Sequence, residues 1–244
     1  YAGMLVDYIR KGASLTDYDH PLKGMKIIVD AGNGAGGFFV SKVLNRLGAD
    51  TSGSQFLEPD GKFPNHIPNP EDKTAMKSIC DAVKYNHADL GIIFDTDVDR
   101  SAVVDKDGEP INRNSLIALI SSIILREHPG STIVTDSITS EGLTLFIEQE
   151  LKGKHHRFKR GYKNVINEVI RLNSDGEESW LAIETSGHAA LKENYFLDDG
   201  AYLVAKLLVE AARLNAQGMD LSSLIKSLRQ PVESTEMRFS ITHD

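Results

Sequence analysis

The sequence predicts an α/β protein built of two consecutive domains. Short apolar segments of strand length alternate along the chain with longer segments whose apolar residues recur at helical spacing. This alternation restarts near residues 111–114, where a predicted hairpin ends and a new helix begins. A chain of 244 residues is long enough for two domains of ordinary size. We therefore predict domains over residues 1–111 and 112–244.

The first predicted domain contains strands with helices between them. Apolar residues at helical spacing predict the helices, and short apolar runs predict the strands. A hairpin over residues 101–111 has Asp107-Gly108 as its turn. The other predicted segments are helices over residues 1–14 (with an end near Gly12), 38–47 and 71–85, and strands over residues 26–30, 51–57 and 91–94.

The second predicted domain repeats this alternation. Its first helix is predicted over residues 115–126 with Asn114 as N-cap, because asparagine side chains accept hydrogen bonds from free helical N–H groups. A basic loop over residues 157–163 opens a helix that runs to Leu172. The other predicted segments are helices over residues 140–151, 201–215 and 221–228, and strands over residues 131–135 and 179–183.

Charge and composition narrow the function classes. The formal net charge of −8 argues against nucleic acid as a partner, because phosphate backbones select basic surfaces. The longest near-apolar stretch, residues 116–125, is too short to span a bilayer, so we expect no membrane partner. The single cysteine, Cys80, fits a reducing compartment, and we expect a cytoplasmic location. The chain begins at Tyr1 without methionine or signal pattern, which predicts an excised or processed piece.

Three carboxylates alternate after an apolar run. Asp95, Asp97 and Asp99 follow the predicted strand, and Arg100 comes directly behind them. Carboxylates this close repel each other unless a cation lies among them. A hard divalent ion such as Mg2+ takes oxygen ligands and usually leaves positions open for a phosphate, to which Arg100 would offer a fixed fork of donors. The pattern predicts a metal and phosphate site at the carboxyl end of a buried strand, where open α/β sheets place ligands.

Two other interpretations of this acidic segment are weaker. Aspartates after a strand often only end it or cap a turn, but three alternating carboxylates followed by an arginine favour a metal site. A calcium-binding EF-hand loop starting at Asp95 needs glycine at its sixth position and glutamate at its twelfth. Those positions hold Arg100 and Lys106.

A glycine-rich turn follows the first predicted strand. Gly32, Gly34 and Gly37 match the G-x-G-x-x-G spacing of dinucleotide-binding folds. Such a site also needs an acidic residue at the end of the second strand, but Asp50 precedes the only plausible second strand. We favour the alternative that these glycines let a helix and a strand approach closely.

A proline-rich segment over residues 58–70 follows the glycine-rich turn. It holds four of the eight prolines of the chain, and proline fixes φ and removes a backbone donor. We therefore predict an ordered loop here, with His66 at its surface.

A second polar cluster follows the strand predicted over residues 179–183. Glu184, Ser186 and His188 alternate there, and Gly187 gives the backbone freedom. A carboxylate beside hydroxyl and imidazole groups suits two adjacent sugar hydroxyls. Ser186 is a poor hydrolase nucleophile, because G-x-S-x-G is absent around it. The alternative that Glu184 caps a turn while His188 packs in the core stays open.

The basic run before the helix that ends at Leu172 also permits two interpretations. Lys159, Arg160 and Lys163 are either a solvated face or, at a helix N-terminus, a phosphate site.

These motifs together resemble the α-D-phosphohexomutases, the phosphoglucomutase/phosphomannomutase group. Asp95-Thr-Asp-Val-Asp-Arg100 resembles the D-G-D-x-D-R metal loop of that family, although Thr96 replaces the usual glycine. Glu184-Thr-Ser-Gly-His188 is similar to its E-x-S-G-H sugar loop. The segment Asp30-Ala-Gly-Asn-Gly34 resembles the opening of its second domain, and Gly161-Tyr-Lys163 its third-domain G-x-K loop. Order and spacing agree over nearly the whole chain.

The resemblance implies the middle two domains of such an enzyme. Each would be a three-layer α/β domain with a mixed sheet flanked by helices. The implied chemistry is Mg2+-assisted phosphoryl transfer between a phosphoserine and a hexose phosphate of glucose or mannose, through a hexose bisphosphate intermediate. The residues implied by the resemblance are Asp95, Asp97 and Asp99 as metal ligands, Arg100 and Lys163 as catalytic groups, and Glu184, Ser186, His188 and Gly161 at the substrate.

Two family motifs are missing from this sequence. The first domain would carry a phosphoserine in a T-x-S-H-N-P-like loop, and the fourth an R-x-S-x-T-E-P-like phosphate loop. Residues 233–236, Glu-Ser-Thr-Glu, have no arginine before them and no proline after them. We therefore expect the first and fourth domains to be absent, and this chain alone to be inactive.

Two alternatives remain beside the resemblance. The segment from Ile92 to Asp97 resembles the D-x-D opening of haloacid-dehalogenase-like phosphatases, with Asp95 as nucleophile, but that motif has threonine or valine where Asp99 stands. The other alternative is a non-catalytic sugar-phosphate-binding module. Comparing the mutase activity of this chain with that of a longer chain would distinguish the binding module from a mutase.

Overall fold

The computed structural model describes residues 1–232, which form two four-stranded sheets. The strands of the first sheet are β1 (Ile27–Asp30), β2 (Leu90–Phe94), β3 (Ser101–Asp105) and β4 (Pro110–Ile111). They lie in this order across the sheet. β1 and β2 pair in parallel, whereas β3 is antiparallel to both of its neighbours, so the sheet is mixed.

The second sheet is mixed as well. Its strands are β5 (Thr132–Asp136), β6 (Lys154–Phe158), β7 (Ser179–Ile183) and β8 (Ala189–Leu191). The order across the sheet is β6-β5-β7-β8. β5 is parallel to β6 and β7, and β8 returns antiparallel to β7.

The helices of the first half differ in regularity. The two α-helices are α1 (Ala2–Ala13) and α2 (Lys73–Asn86). Asp72 caps α2, because its Oδ1 accepts from the backbone N of Thr74 at 2.9 Å and of Ala75 at 3.0 Å. The segment between β1 and the proline-rich loop winds through 3₁₀ turns at Ala35–Gly37 and Asn45–Leu47 and a π turn at Val40–Leu44.

The second half contains the longest helix in the described part of the chain. Its α-helices are α3 (Arg113–Glu127), α4 (Glu141–Leu145), α5 (Tyr162–Ser174) and α6 (Gly200–Asn215). A π turn at Phe146–Glu150 extends α4, and 3₁₀ turns lie at Lys192–Asn194 and Leu221–Ile225. No helix within residues 1–232 combines the length and apolar character that a membrane crossing needs.

Alternating side chains of each strand enter different cores, which places helices on both faces of each sheet. In the first sheet Ile28 and Ile93 pack against α2, while Val29 and Ile92 join a larger core on the other face. That larger core contains residues of α1, α3 and α6 and continues beneath the second sheet. Val134 in β5 packs on the opposite face against α5. The predicted class, α/β domains with mixed sheets flanked by helices, is confirmed.

Three strand predictions need correction. Residues 51–57 form no strand, and this region adds only isolated bridges from Asp50 to Lys26 and from Gln55 to Asp30. β6 was not predicted, and the expected basic loop over residues 157–163 overlaps its last two residues, because the basic, half-exposed residues of this strand do not show the apolar alternation of a buried strand. β8, three residues long, was not predicted either.

The predicted helix ends also shift. α1 continues past Gly12 to Ala13 and stops where Ser14 adopts a left-handed conformation, with φ 52°. Asn112 occupies the N-cap position of α3, whereas the Oδ1 of Asn114 accepts from the backbone N of Ser140 at 3.1 Å. The expected last helix is a short 3₁₀ turn. Residues 233–236, compared above with a phosphate loop, lie outside the described residues.

Candidate functional site

The acidic loop, residues 95–100, follows β2 directly. The side chains of Asp95, Asp97 and Asp99 each place a carboxylate oxygen within 4.8 Å of the other two. Between the second and third of these residues, Val98 takes a positive φ of 73°, which is rare for a β-branched residue. Strain of this kind persists where the surrounding structure holds it, commonly at a functional site. The structure thus brings the three predicted metal ligands together.

The carboxylates of this loop differ in how far their hydrogen bonds are satisfied. Asp95 is buried, and its Oδ1 accepts from the backbone N of Val98 at 3.0 Å and of Arg100 at 3.2 Å. Burial, followed by the nearby Asp99, raises the pKa of Asp95. Oδ1 of Asp99 is buried and has no hydrogen-bond partner among residues 1–232. Nε of Arg100 lies 3.7 Å from this oxygen, close enough for an ion pair but beyond hydrogen-bond distance. A buried carboxylate oxygen that accepts no hydrogen bond fits a hard cation, so these ligands suit an ion such as Mg2+.

Arg100 is anchored from two sides. Its Nε donates to Oδ2 of Asp95 at 3.0 Å, and its Nη1 donates to Oδ1 of Asn69 at 3.2 Å. The first partner belongs to the acidic loop itself, whereas the sequence predicted only that Arg100 would face a phosphate. Asn69 was not predicted, because it lies in the proline-rich loop, and nothing local links it to the acidic loop.

The Glu184 loop, residues 184–188, follows β7. Oε1 of Glu184 accepts from the backbone N of Gly161 at 2.6 Å, and Oε2 accepts from the hydroxyl of Ser186 at 3.5 Å. Burial raises the pKa of Glu184. Glu184 therefore joins its own loop to the turn that opens α5, a role the sequence did not indicate. Gly161 takes a φ of 119°, which glycine adopts without strain.

Asp136, at the end of β5, supports this loop from below. Its Oδ2 accepts from the backbone N of Thr185 at 3.2 Å and from the Thr185 hydroxyl at 2.6 Å. Burial raises the pKa of Asp136. Asp136 was not predicted as a site residue, although a carboxylate at the end of a predicted strand was an available signal.

His188 connects the two loops electrostatically. Its Nδ1 lies 2.7 Å from Oδ2 of Asp198 and 3.7 Å from Oδ2 of Asp99, and its ring stacks on Tyr162 with centroids 5.0 Å apart. Burial lowers the pKa of His188, but the hydrogen bond to Asp198 and the two nearby carboxylates raise it above its ordinary value overall. Asp198 was not predicted as a site residue.

Lys163 is not drawn into this network. It is exposed, and within residues 1–232 no hydrogen bond or ion pair holds its amine, which lies 5.9 Å from the centre of the Tyr162 ring. Arg160, from the same basic run, reaches Glu71 at 4.0 Å. Lys163 therefore lies on the first turn of α5 with its amine exposed.

The two loops meet at one edge of the molecule although they belong to different sheets. Arg100 and His188 form an antiparallel β-bridge, and the backbone N of Ser101 donates to the carbonyl of Gly187 at 3.4 Å. A Cβ on Gly187 would lie 2.7 Å from the carbonyl oxygen of Ser101. The N-terminus of α6 joins the same junction, since the backbone N of Gly200 donates to the carbonyl of Val98 at 3.0 Å.

Each glycine of the G-x-G-x-x-G motif packs closely against another part of the protein. A Cβ on Gly34 would lie 2.7 Å from the carbonyl oxygen of Thr96 in the acidic loop, and one on Gly37 only 2.0 Å from that of Leu57. These glycines allow close backbone approach, which supports the packing interpretation over a dinucleotide site. His66, expected at the surface, is buried instead against Asp30.

Comparison with known proteins places the chain in a family. The model for phosphoglucomutase/phosphomannomutase, alpha/beta/alpha domain II, matches residues 6–108, and the model for alpha/beta/alpha domain III of the same family matches residues 112–232. The chain belongs to the phosphoglucomutase/phosphomannomutase family, which confirms the resemblance stated from the motifs. The predicted boundary after residue 111 lies between these matches and stays a prediction.

Relatives of this chain are about twice its length. A phosphomannomutase/phosphoglucomutase of Pseudomonas putida is 31% identical over 223 residues, covering 91% of this chain and 46% of the relative. The crystal structure of a phosphoglucomutase/phosphomannomutase family protein from Burkholderia thailandensis is 32% identical with a TM-score of 0.78, covering 95% of this chain and 47% of that one. The chain therefore spans about half the length of the relatives it matches.

A more distant structure shares the fold alone. It is an Aspergillus fumigatus N-acetylphosphoglucosamine mutase in complex with GlcNAc-6P and magnesium, 14% identical with a TM-score of 0.58. The match covers 92% of this chain and 52% of that one.

Proposed function

We propose that this chain forms the metal-binding and sugar-binding half of a phosphohexomutase. The whole enzyme would interconvert hexose 1-phosphate and hexose 6-phosphate of glucose or mannose through a phosphoserine and a hexose bisphosphate. The observation that carries the proposal is the junction of the acidic loop with the Glu184 loop through the Arg100–His188 bridge. That junction sets carboxylates suited to a cation beside groups suited to sugar hydroxyls.

The acidic loop would hold Mg2+ through Asp95, Asp97 and Asp99. The buried Oδ1 of Asp99 supports this assignment, because it accepts no hydrogen bond from residues 1–232 and lies 3.7 Å from Nε of Arg100. When bound, Mg2+ offsets negative charge on a phosphoryl group and aligns its oxygens. The magnesium in the Aspergillus mutase structure belongs to that protein, and it supports the choice of ion here.

Arg100 and Lys163 would act on phosphate. The guanidinium of Arg100 faces the acidic loop while two of its nitrogens are held by neighbours, so its orientation costs little on binding. Lys163 has a long, exposed side chain that can swing toward a ligand anion. Phosphoryl transfer depends mainly on positioning and charge stabilisation of this kind.

The Glu184 loop would bind the sugar. The carboxylate of Glu184 is an acceptor for adjacent hydroxyls, while Ser186 offers a hydroxyl and the backbone at Gly161 lines the same place. His188 has its Nδ1 engaged by Asp198, which leaves Nε2 as the ring nitrogen for a ligand. These groups would orient the hexose, and they can bind the hydroxyls of glucose and of mannose alike.

The remaining partners are proposed from the relatives, since the chain covers 46% of the Pseudomonas putida enzyme. The first and fourth domains of the parent enzyme would supply the phosphoserine and a second phosphate site. We place the enzyme in the cytoplasm, because its substrates are phosphorylated sugars and its single cysteine suits a reducing compartment.

A phosphatase that uses Asp95 as nucleophile fits the geometry poorly. Both carboxylate oxygens of Asp95 accept hydrogen bonds, from Val98 and Arg100, and the side chain is 2% exposed. A nucleophilic oxygen must face the substrate phosphorus directly, whereas a metal ligand needs only one free lone pair, which Oδ2 of Asp95 keeps because it accepts a single hydrogen bond. A non-catalytic sugar-phosphate-binding module remains the second candidate, because the sequence lacks a phosphoserine-like loop.

Calorimetry on the purified chain tests the metal assignment. Asp97→Asn and Asp99→Asn should each weaken Mg2+ binding at least about tenfold, since each removes a charged ligand. Asp107→Asn, at the exposed hairpin turn of the same sheet, is the control and should leave the affinity unchanged. Unchanged affinity in both loop variants removes the metal assignment.

A coupled mutase assay tests whether this chain needs the other domains of the parent enzyme for turnover. With glucose or mannose 1-phosphate, Mg2+ and a bisphosphate activator, this chain alone should show no turnover, whereas the full-length parent should interconvert the phosphates. Turnover by this chain near ~1–1000 per second, the range of ordinary enzymes, would show that it carries its own phosphoryl donor.

A further inference from the structure

Arg100 is fixed by residues that lie far apart in the sequence. Asp95 holds its Nε from within the acidic loop, at 3.0 Å. Asn69 holds Nη1 at 3.2 Å from a position 31 residues earlier in the chain. Among residues 1–232 nothing accepts a hydrogen bond from Nη2, so one donor edge of the guanidinium stays free for a ligand.

The side chain of Asn69 works here only through its oxygen. Oδ1 accepts from Nη1 of Arg100 and from the backbone N of Glu71, the latter at 3.0 Å. Because both neighbours are donors, the amide oxygen rather than the NH2 group must face them. The position therefore requires an acceptor of this length, and an apolar side chain would leave two donors unpaired.

The loop that carries Asn69 is itself anchored on the glycine-rich turn. His66 is buried, with Nε2 3.0 Å from both oxygens of Asp30 at the end of β1 and Nδ1 3.0 Å from the carbonyl of Ile67. A Cβ on Gly32 would lie 2.7 Å from Cβ of Pro68, so the glycine lets the loop pack closely. Through these contacts the glycine-rich turn holds the proline-rich loop, and with it Asn69, in place.

The backbone around Asn69 adds to this support. Its N donates to the carbonyl of Ile67 at 2.9 Å, and its carbonyl accepts from the N of Asp72, the N-cap of α2, at 2.9 Å. Asn69 thus presents its acceptor from a fixed frame tied to β1 on one side and α2 on the other. Such a frame can impose an orientation on a flexible side chain that approaches it.

We propose that Asn69 is a positioning residue that orients Arg100 toward the phosphoryl group bound at the acidic loop. Asp95 restrains one guanidinium nitrogen, and rotation about the terminal bonds would still move the free edge. The second restraint from Asn69 fixes the plane of the guanidinium, which directs Nη2. This inference rests on the proposed function and deepens it, by naming a residue that acts on the phosphate through another side chain.

Binding of glucose 1,6-bisphosphate to the purified chain, with Mg2+ saturating, is the first test. Asn69→Ala should weaken the bisphosphate affinity about tenfold while the affinity for Mg2+ alone stays within twofold. In an Arg100→Ala background the same substitution should cost nothing further, because Asn69 acts through Arg100. An equal loss in the presence and absence of Arg100 overturns the inference.

A second test needs no ligand and so separates this inference from the proposed function. The Nε–H signal of Arg100 in 15N NMR should report an ordered side chain in the wild type and in Asn69→Asp, which keeps an acceptor. In Asn69→Ala the signal should show fast internal motion or rapid exchange with water. Order unchanged in Asn69→Ala overturns the inference, whereas absent bisphosphate binding in the wild type counts against the proposed function alone.

Folding is checked by thermal unfolding of each variant. If Asn69→Ala gives no folded protein, Asn69→Ser replaces it in both tests with the same expectation, because a serine hydroxyl is too short to span to Arg100. A serine variant with wild-type bisphosphate affinity and an ordered Arg100 overturns the inference.

Discussion

Replacing Gly187 with alanine probes the junction of the two loops most directly. Gly187 adopts a φ of 101°, which an alanine takes up only with strain. The added Cβ would also lie 2.7 Å from the carbonyl oxygen of Ser101 and 3.6 Å from Cβ of Arg100. The substitution therefore pushes the Glu184 loop away from the acidic loop without removing any polar group.

The two effects have separate magnitudes. A left-handed conformation costs a residue with a side chain ~1–2 kcal/mol. A contact at 2.7 Å requires backbone movement, because the neighbour is a carbonyl rather than the end of a flexible side chain. Overpacking of this kind costs ~1–3 kcal/mol. We expect Gly187→Ala to lower the free energy of unfolding by ~2–5 kcal/mol in total.

Gly176→Ala isolates the conformational part of this cost. Gly176 has a similar positive φ of 85°, but a Cβ there would meet nothing within 4 Å. Urea unfolding of both variants, followed by circular dichroism and by the fluorescence of the single tryptophan, Trp180, gives the two free energies. A loss in Gly187→Ala no larger than in Gly176→Ala would refute the contact between the loops.

Two further predictions concern residues outside the site. The side chain of Lys206 is 3% exposed, and its amine donates to Glu127 and to Glu193 at 2.8 Å. Lys206→Ala should therefore lower the free energy of unfolding in urea by ~3–5 kcal/mol, whereas Lys77→Ala, on the exposed face of α2, should lower it by under ~1 kcal/mol. Equal losses in the two variants would contradict the buried pairing. Burial lowers the pKa of His155 to about 4 from 6.5, so the unfolded chain binds a proton that the native chain excludes, and stability should fall as the pH drops from 6.5 toward 4. Between pH 6.5 and pH 4 the free energy of unfolding should fall by ~2 kcal/mol less in His155→Asn than in the wild type. Identical pH profiles of the two proteins would contradict this.

The environment of His155 explains why its neutral form is favoured. Nε2 lies 2.8 Å from the hydroxyl of Thr135, and Nδ1 lies 2.8 Å from that of Thr144. A hydroxyl can donate or accept, so both nitrogens of a neutral ring are satisfied whichever one carries the proton. No carboxylate among the described residues is hydrogen-bonded to either nitrogen, and a positive ring would lack compensation.

Local chemistry made the ligands of the site predictable from the sequence. Asp95, Asp97, Asp99 and Arg100 lie within six residues, so their pattern alone indicated a cation and a phosphate. The second cluster was equally local, because Glu184 and its neighbours follow a strand that the apolar run made evident. In both places the carboxyl end of a strand located the site.

The partners of those ligands were not predictable, because they come from distant parts of the chain. Asn69 and Asp198 lie outside the named helices and strands, where a single asparagine or aspartate carries no local signal. Asp136 ends a predicted strand, which was a signal, but its contact with Thr185 depends on the pairing of β5 with β7. β6 escaped prediction for a different reason. It is an edge strand with half-exposed basic residues, so burial imposes no alternation on it.

The relative placement of the two loops depends on backbone contacts more than on side chains. The Arg100–His188 bridge joins the loops that follow β2 and β7, and the bond from Gly200 N to the carbonyl of Val98 joins α6 to the acidic loop. Neither contact uses a side chain. Beneath them one continuous core, shared by α1, α3 and α6, leaves no seam between the halves. Substitution of Asp97, which is exposed at the loop, removes a ligand while this frame persists. A loss of Mg2+ binding in that variant can therefore be assigned to the missing carboxylate rather than to a displaced loop.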